Sequence, residues 1–268
     1  MSGFRPVNEP RTVTLLTDFG DQDAYVGILK GVISTINPGV RMIDITHRIQ
    51  QGDIRSASFV INQAHSFFPE GTVHLMVVDP GVGTDRRPIA VRADSQFWVA
   101  PDNGVLAHVY RLYPNAEVIH LDRSEFRLKT VSNTFHGRDI FAPAAAWLSN
   151  GVDFLSMGTR VSDFDRGYAP KPQCTDDSIR GEIIYIDHFG NCVSNLPGTW
   201  LKDKPLDCVQ MQALRWNRLD QTYGHVSSGE SLVLIGSHKN LEIAVCNGNA
   251  ARRLNVHMGD QVNVYFKK

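Results

Sequence analysis

The texture of this chain changes near residue 170, and that change limits the folds open to it. Upstream, strand and helix signals alternate. "TVTLLT" (12–17) reads as a buried strand. Tyr25, Leu29, Val32, Ile33 and Ile36 then recur at helical spacing until Pro38-Gly39 stops the helix. "RMIDIT" (41–46) is strand-like and "IRSASFVINQAHSFF" (54–68) helical. "TVHLMVVD" (72–79), "PIAVRA", "QFWVAP", a helix near "GVLAHVYRLY", the strand "EVIHLD" (117–122) and the helix "RDIFAPAAAWLSNG" (138–151) continue the alternation. Such alternation predicts a sheet covered on both faces, a three-layer α/β/α domain over residues 1–168. Ligands then gather beyond the carboxyl ends of the strands.

Downstream of "RGYAPKPQCTDDS" (166–178) helical periodicity nearly vanishes. "IRGEIIYID", "CVSNL", "VQMQALRW", "SLVLIG", "LEIAV" and "DQVNVYF" are short strand candidates between Gly, Asn and Asp turns. They predict a smaller all-β, barrel-like C-terminal domain over residues 169–268.

Composition excludes several classes of function. A formal net charge of −1 over 268 residues provides no field to gather nucleic acid or an anionic membrane surface. No apolar run approaches the ~20 residues that span a bilayer, and "MSGFRPVNEPRT" has no apolar core and reads as a tail, not a signal peptide. Cys174, Cys192, Cys208 and Cys246 form no CxxC pair, which suits reduced thiols in a cytoplasmic protein. The ten histidines show no metal-ligand spacing, so no metal site is expected. "DPGVGTDR" lacks the third glycine of a dinucleotide fingerprint, and no phosphate-binding GxxxxGK[ST] occurs.

Four polar clusters fall at strand ends or loops. In "TDFGDQD", Asp21 or Asp23 suits a helix N-cap, whereas Asp18 ends an apolar strand, where a carboxylate can accept both hydroxyls of a ribose diol. In "VVDPGVGTDRR", a tight turn with a surface ion pair is one reading; a polar pocket organised by Arg86 returning beside Asp79 is the other. In "NTFHGRD", Asn133 or Thr134 suits a helix cap, and His136 suits a base or orienter because its pKa lies near neutrality. In "YIDHFGNCVSNL", Asp187 and Asn191 bracket a Phe-Gly turn, and an Asx-type turn accounts for Asn191 alone.

Together these stretches, with "DAYVGILKGVI", "ITH", "PDNGVL" and "GSHKNLEIAV", resemble the S-adenosyl-L-methionine (SAM) hydroxide adenosyltransferases, relatives of the fluorinating and chlorinating adenosyl enzymes. The resemblance covers nearly the whole chain. It implies an α/β domain followed by a β-barrel, and a homotrimer with sites between the N-terminal domain of one subunit and the C-terminal domain of the next. It implies SAM as substrate rather than cofactor, with no cofactor and no metal. Asp79, Arg86 and His136 match the Asp–Arg–His set of the hydroxide-transferring branch, which would catalyse attack of water at ribose C5′. The chain also runs straight from "TDRR" into "PIAVRA", without the insertion of the halogenating relatives. Asp18 matches a ribose-diol acceptor and Asp23 a group near the methionine ammonium, so clustered carboxylates complement a locally cationic substrate. Phe135, Gly137, Asp187, Phe189, Asn191, Tyr223, Ser237, Glu242, Val245 and Asn247 complete the implied substrate-binding set. Phe189 and Tyr223 would wall the base, and Asp187 would pair with the ammonium. Where relatives often show Gly-Tyr after the serine of the last binding loop, this chain has His238, Lys239 and Asn240. The residues leave open whether Asp79 or His136 is the base. They also leave open a chloride-using halogenase, a non-catalytic adenosine- or SAM-binding protein, and a magnesium phosphatase built on Asp18.

Overall fold

The computed structural model describes residues 12–202 and 204–267. The N-terminal stretch read above as a tail lies, up to residue 11, outside the described residues. The chain divides into two compact units, one ending at Ala169 and the other running from Pro170.

The first unit is built on a seven-stranded mixed sheet. Its elements in chain order are β1 (Thr12–Thr17), α1 (Tyr25–Ile36), β2 (Arg41–Thr46), α2 (Ile54–Ala64), β3 (Val73–Val77), β4 (Pro88–Ala93), β5 (Gln96–Pro101), α3 (Ala107–Leu112), β6 (Glu117–His120), α4 (Ala142–Ser149) and β7 (Thr159–Arg160). The strand order is β2-β1-β3-β5-β4-β6-β7, with β2, β1, β3 and β5 parallel and the β4–β5 hairpin introducing antiparallel pairing. Side chains alternate across the pleat, so successive residues enter different cores. Val13, Leu15, Val73, Leu75, Val77, Phe97 and Val99 pack with Leu29 and Ile33 of α1 and with α4. Leu16, Met76, Val78, Trp98 and Ala100 pack with Ala57 and Ile61 of α2 and Val109 of α3. Those two cores make three layers. The carboxyl ends of β1 and β3 carry Asp18 and Asp79.

The second unit is all-β apart from one short α-helix and the 3-10 turns Gly198–Trp200 and Tyr223–His225. Its elements are β8 (Gln173–Cys174), β9 (Ser178–Ile186), β10 (Cys192–Pro197), β11 (Leu206–Met211), β12 (Leu214–Trp216), β13 (Ser231–Ile235), β14 (Asn240–Val245), α5 (Ala250–Arg253) and β15 (Gln261–Phe266). The strand order is β12-β11-β15-β9-β10-β14-β13, with β8 also on β9. These strands enclose one core that includes Ile179, Ile183, Val209, Val233, Ile243 and Val264. "VQMQALRW", expected as one strand, is a hairpin: Gln212 adopts φ 52° and turns the chain between β11 and β12. Among the described residues no ladder joins β12 to β13, and Trp216 Nε1 instead donates to Ser231 Oγ at 3.1 Å. The sheet is therefore barrel-like, its seam spanned by that side chain and by an isolated bridge in which Asp220 N donates to the Val233 carbonyl at 2.8 Å. No helix of the described residues is long and apolar enough to cross a membrane.

Candidate active site

Two glycine-softened turns bring three polar side chains together at the end of β3. The chain turns at Pro80-Gly81, and Gly83 takes φ 81°. A Cβ there would lie 2.6 Å from the Asn133 carbonyl oxygen, so this close approach requires glycine. It lays the 79–86 loop against the segment that carries His136. Arg86 returns to Asp79, with Nε donating to Oδ1 at 2.9 Å and Oδ2 at 3.0 Å and Nη2 donating to Oδ2. The two side chains are only 8% and 5% exposed. Of the two readings of this loop, the pairing is the one in which Arg86 returns beside Asp79, and the pair is buried rather than at the surface.

Arg86 Nη2 also donates to His136 Nδ1 at 2.8 Å. With Nδ1 accepting, the imidazole proton belongs on Nε2. Burial pushes the His136 pKa down, the Arg86 charge pushes it further, and the ring stays neutral near pH 7. The remaining guanidinium nitrogen, Nη1, is buried and finds no hydrogen-bond partner among the described residues. A buried, permanently charged donor without an acceptor is costly. Arg87 serves another purpose, donating through Nε and Nη2 to Asp102.

His136 precedes a π-helical turn, Gly137–Phe141, that leads into α4. Such turns recur at functional sites because they re-aim neighbouring side chains. Asn133 and Thr134 do not cap it. Its first turn is organised by Asp139, fully buried, which accepts from Ser132 N at 2.8 Å and is held by Arg138. Sequence reasoning passed over Asp139, although its place inside "HGRD" with an adjacent arginine was a signal. Phe135 packs edge-on against Phe19 and Tyr25, with ring centroids 6.0 and 5.2 Å away.

Asp18 is half-buried, and its Oδ2 accepts from Gly52 N at 2.8 Å. Burial raises its pKa, the Gly52 bond opposes this, and the nearby Asp79 charge adds to the rise. Neither Asp21 nor Asp23 caps α1: the N-cap is Ala24, without a side-chain bond. Asp21 pairs with Arg48 at the surface, and Asp23 is exposed. Asp18, Asp23, Asp79, Arg86, Phe135, His136 and Gly137 therefore all belong to the strand-end region of the first unit.

In the second unit, Asp187 accepts from Asn191 N at 2.8 Å and Asn191 Nδ2 at 2.9 Å, so the turn bond belongs to Asp187. Asn191 is buried, whereas Phe189 is 72% exposed. Tyr223 donates to Glu242 Oε1 at 2.7 Å. Glu242 is buried, and desolvation lifts its pKa. Ser237 and Asn247 are exposed, Asn247 with φ 51°, and Val245 is buried. Among the described residues, no group of three or more His, Cys, Asp or Glu side chains is placed to hold a metal ion.

Comparison with known proteins adds sequence relatives to this geometry. A family model described as the SAM hydroxide adenosyltransferase N-terminal domain matches residues 13–158, and its C-terminal counterpart matches residues 181–263. A Salinispora tropica protein named (R)-S-adenosyl-L-methionine hydrolase is 37% identical over 94% of this chain and 97% of its own. A Thermus thermophilus protein of the same name is 34% identical, over 95% and 99%. A fluorinase from an Actinoplanes species is 28% identical, over 74% and 75%. The crystal structure of an uncharacterized conserved protein from Thermotoga maritima, 38% identical, superposes with a TM-score of 0.87 over 94% of this chain and 99% of that one.

Proposed function

The chain belongs to the SAM hydroxide adenosyltransferase family, and we propose that it hydrolyses SAM to adenosine and L-methionine through Asp79, Arg86 and His136. The observation that carries this reading is the buried Arg86, clamped by Asp79 and His136 with Nη1 unpartnered. Water attacks C5′ of the ribose, an O–C5′ bond forms and the C5′–S bond breaks. Its electron pair stays on sulfur, so methionine leaves as a neutral thioether and no acid is needed. The water loses a proton. Arg86 Nη1 holds the attacking oxygen and stabilises its developing charge. Holding that oxygen in line with C5′–S lowers the barrier by several kcal/mol.

The geometry favours Asp79 over His136 as the proton acceptor. His136 Nδ1 is occupied by Arg86, and Nε2 carries a proton. Asp79 Oδ1 receives one donor, at 2.9 Å, and a carboxylate oxygen has room for a second. His136 is then the orienter of Arg86. Asp18 accepts the ribose diol, and Asp23 faces the cationic end. Asp187, Asn191, Glu242 and the other second-unit residues named above contribute to binding. Metal independence, a homotrimeric state and cytoplasmic residence belong to the same proposal.

Incubating the purified protein with SAM, with and without chloride and a chelator, tests it. Adenosine and methionine in equal amounts are expected, unchanged by either addition. 5′-Chloroadenosine as the main product would make the chain a halogenase. Loss of turnover with chelator would make it metal-dependent, and binding without product would make it a sensor. Light scattering reads the oligomeric state.

A further inference from the structure

We propose that His47 is a positioning residue that sets Asp18 for the ribose diol, acting through the backbone on either side of it. The inference rests on the nucleoside reading above and extends it to "ITH", a motif which that reading leaves without a role. His47 lies one residue beyond β2. The β1–β2 register shifts between Leu15 and Leu16, so Leu15 pairs with Asp44 but Leu16 with Thr46, and the end of β2 is re-aimed. That shift brings His47 to the end of β1.

The bonds run in one direction. Thr17 Oγ1 accepts from Phe19 N at 3.3 Å, and its hydroxyl proton is therefore free to be given to His47 Nδ1, 2.9 Å away. The imidazole proton then sits on Nε2, which lies 3.1 Å from Asp44 Oδ1, within ion-pair distance but out of hydrogen-bond alignment. Asp44 Oδ2 in turn accepts from Lys30 Nζ of α1 at 2.6 Å. A second tie comes from the backbone, where Gly20 N donates to the His47 carbonyl at 2.8 Å. Thr17 and Gly20, on either side of Asp18, are thus both fastened to His47, and Asp18 itself is fastened to Gly52, five residues beyond His47.

Thr17 is fully buried and the His47 side chain only 11% exposed, so the fastening is shielded from competing water. A carboxylate that must meet two vicinal hydroxyls at once benefits from being held before the ligand arrives, because the ordering is then already done. His47 touches no reacting atom in this scheme. Its effect is confined to ligands that use Asp18.

The test uses full-length protein and two probes, adenosine and 2′,3′-dideoxyadenosine, which lacks the diol. His47→Ala is expected to weaken adenosine about tenfold, in line with a lost buried hydrogen bond, and to leave dideoxyadenosine unchanged. His47→Asn, whose Oδ1 can accept from Thr17, is expected to restore most of that loss. Thr17→Val, which removes the hydroxyl from the other end, is expected to reproduce it and supplies the same comparison should His47→Ala fail to fold. In an Asp18→Ala background, neither change should matter further. Equal losses for both nucleosides, or no loss for adenosine, would overturn the role of His47. Unaltered protein that binds the two nucleosides equally, or neither, would overturn the diol reading and this inference with it.

Discussion

Arg86→Lys keeps the charge at position 86 but not the bonds that aim it. The guanidinium meets Asp79 with two nitrogens, His136 with one of those, and leaves Nη1 without a partner among the described residues. An ammonium gathers its donors on one atom and cannot make that fork. We predict a fall in kcat of about a hundred- to a thousandfold, the usual loss for an electrostatic donor at a reacting oxygen, with little change in KM; undiminished turnover would discount the Nη1 assignment. Asp18 gives a pH prediction. Burial raises its carboxyl pKa, and the ionised form, with every lone pair free and a full charge, is much the stronger acceptor for two hydroxyls. Adenosine affinity should therefore be full at neutral pH and fall on acidification before an ordinary carboxylate would protonate. Calorimetry with Asp18→Asn should show weak binding throughout, without that fall. A wild-type affinity that stays constant down to pH 4 would exclude the assignment.

At the level of elements, much was legible because hydrophobic spacing is dictated by burial. Tyr25 to Ile36 follow one helical face until Pro38, and α1 spans Tyr25–Ile36. Val73 to Val77 is buried throughout, and apolar but for His74, because both faces of the sheet are covered. Helix starts were less legible. Asp21 or Asp23 was expected as a cap, but the cap is Ala24, and Asp21 is drawn off by Arg48, a partner far along the chain. Asn133 or Thr134 was expected as a cap, yet the helix opens with a π-turn, which leaves no pattern in side-chain spacing. The meeting of Asp79 with Arg86 was read as possible; its burial depends on Gly83 lying against Asn133, a contact between distant segments. That contact yields a prediction. Gly83→Ala places a methyl 2.6 Å from backbone and also strains φ 81°, whereas Gly259→Ala strains φ 91° with no atom within 4 Å. Both should lower stability, by roughly 1 kcal/mol for the backbone alone, and the melting temperature with it. Only Gly83→Ala should also abolish turnover in a folded protein. Equal activity in the two variants would show that the Gly83 contact does not set the site.

Across the whole molecule, buried imidazoles tie stability to acidity. His74 bonds Thr14 and Gln96 between strands, and His108 bonds Ser58. Burial pushes both pKa values down to about 4. Both rings are neutral in the fold, while the unfolded chain takes up protons near pH 6.5. Their contribution is complete above that pH and is lost as pH falls towards 4, by up to about 3 kcal/mol each. Melting curves from pH 7.5 to 4.5 should slope accordingly and flatten in a His74→Gln, His108→Gln variant; parallel slopes would discount these two groups. The division into an α/β and an all-β part could be read from periodicity, but the seam between β12 and β13 could not, since a missing ladder has no sequence signature. One more whole-molecule result concerns Arg86. A desolvated charge with an unsatisfied donor detracts from the fold it sits in, and exchanging a buried ion pair for well-packed apolar side chains often raises stability. An Asp79→Leu, Arg86→Met protein should melt no lower than its parent while hydrolysing nothing. Under selection for heat resistance alone, with no demand for turnover, lineages would shed this pair first and persist as sturdy, inert descendants.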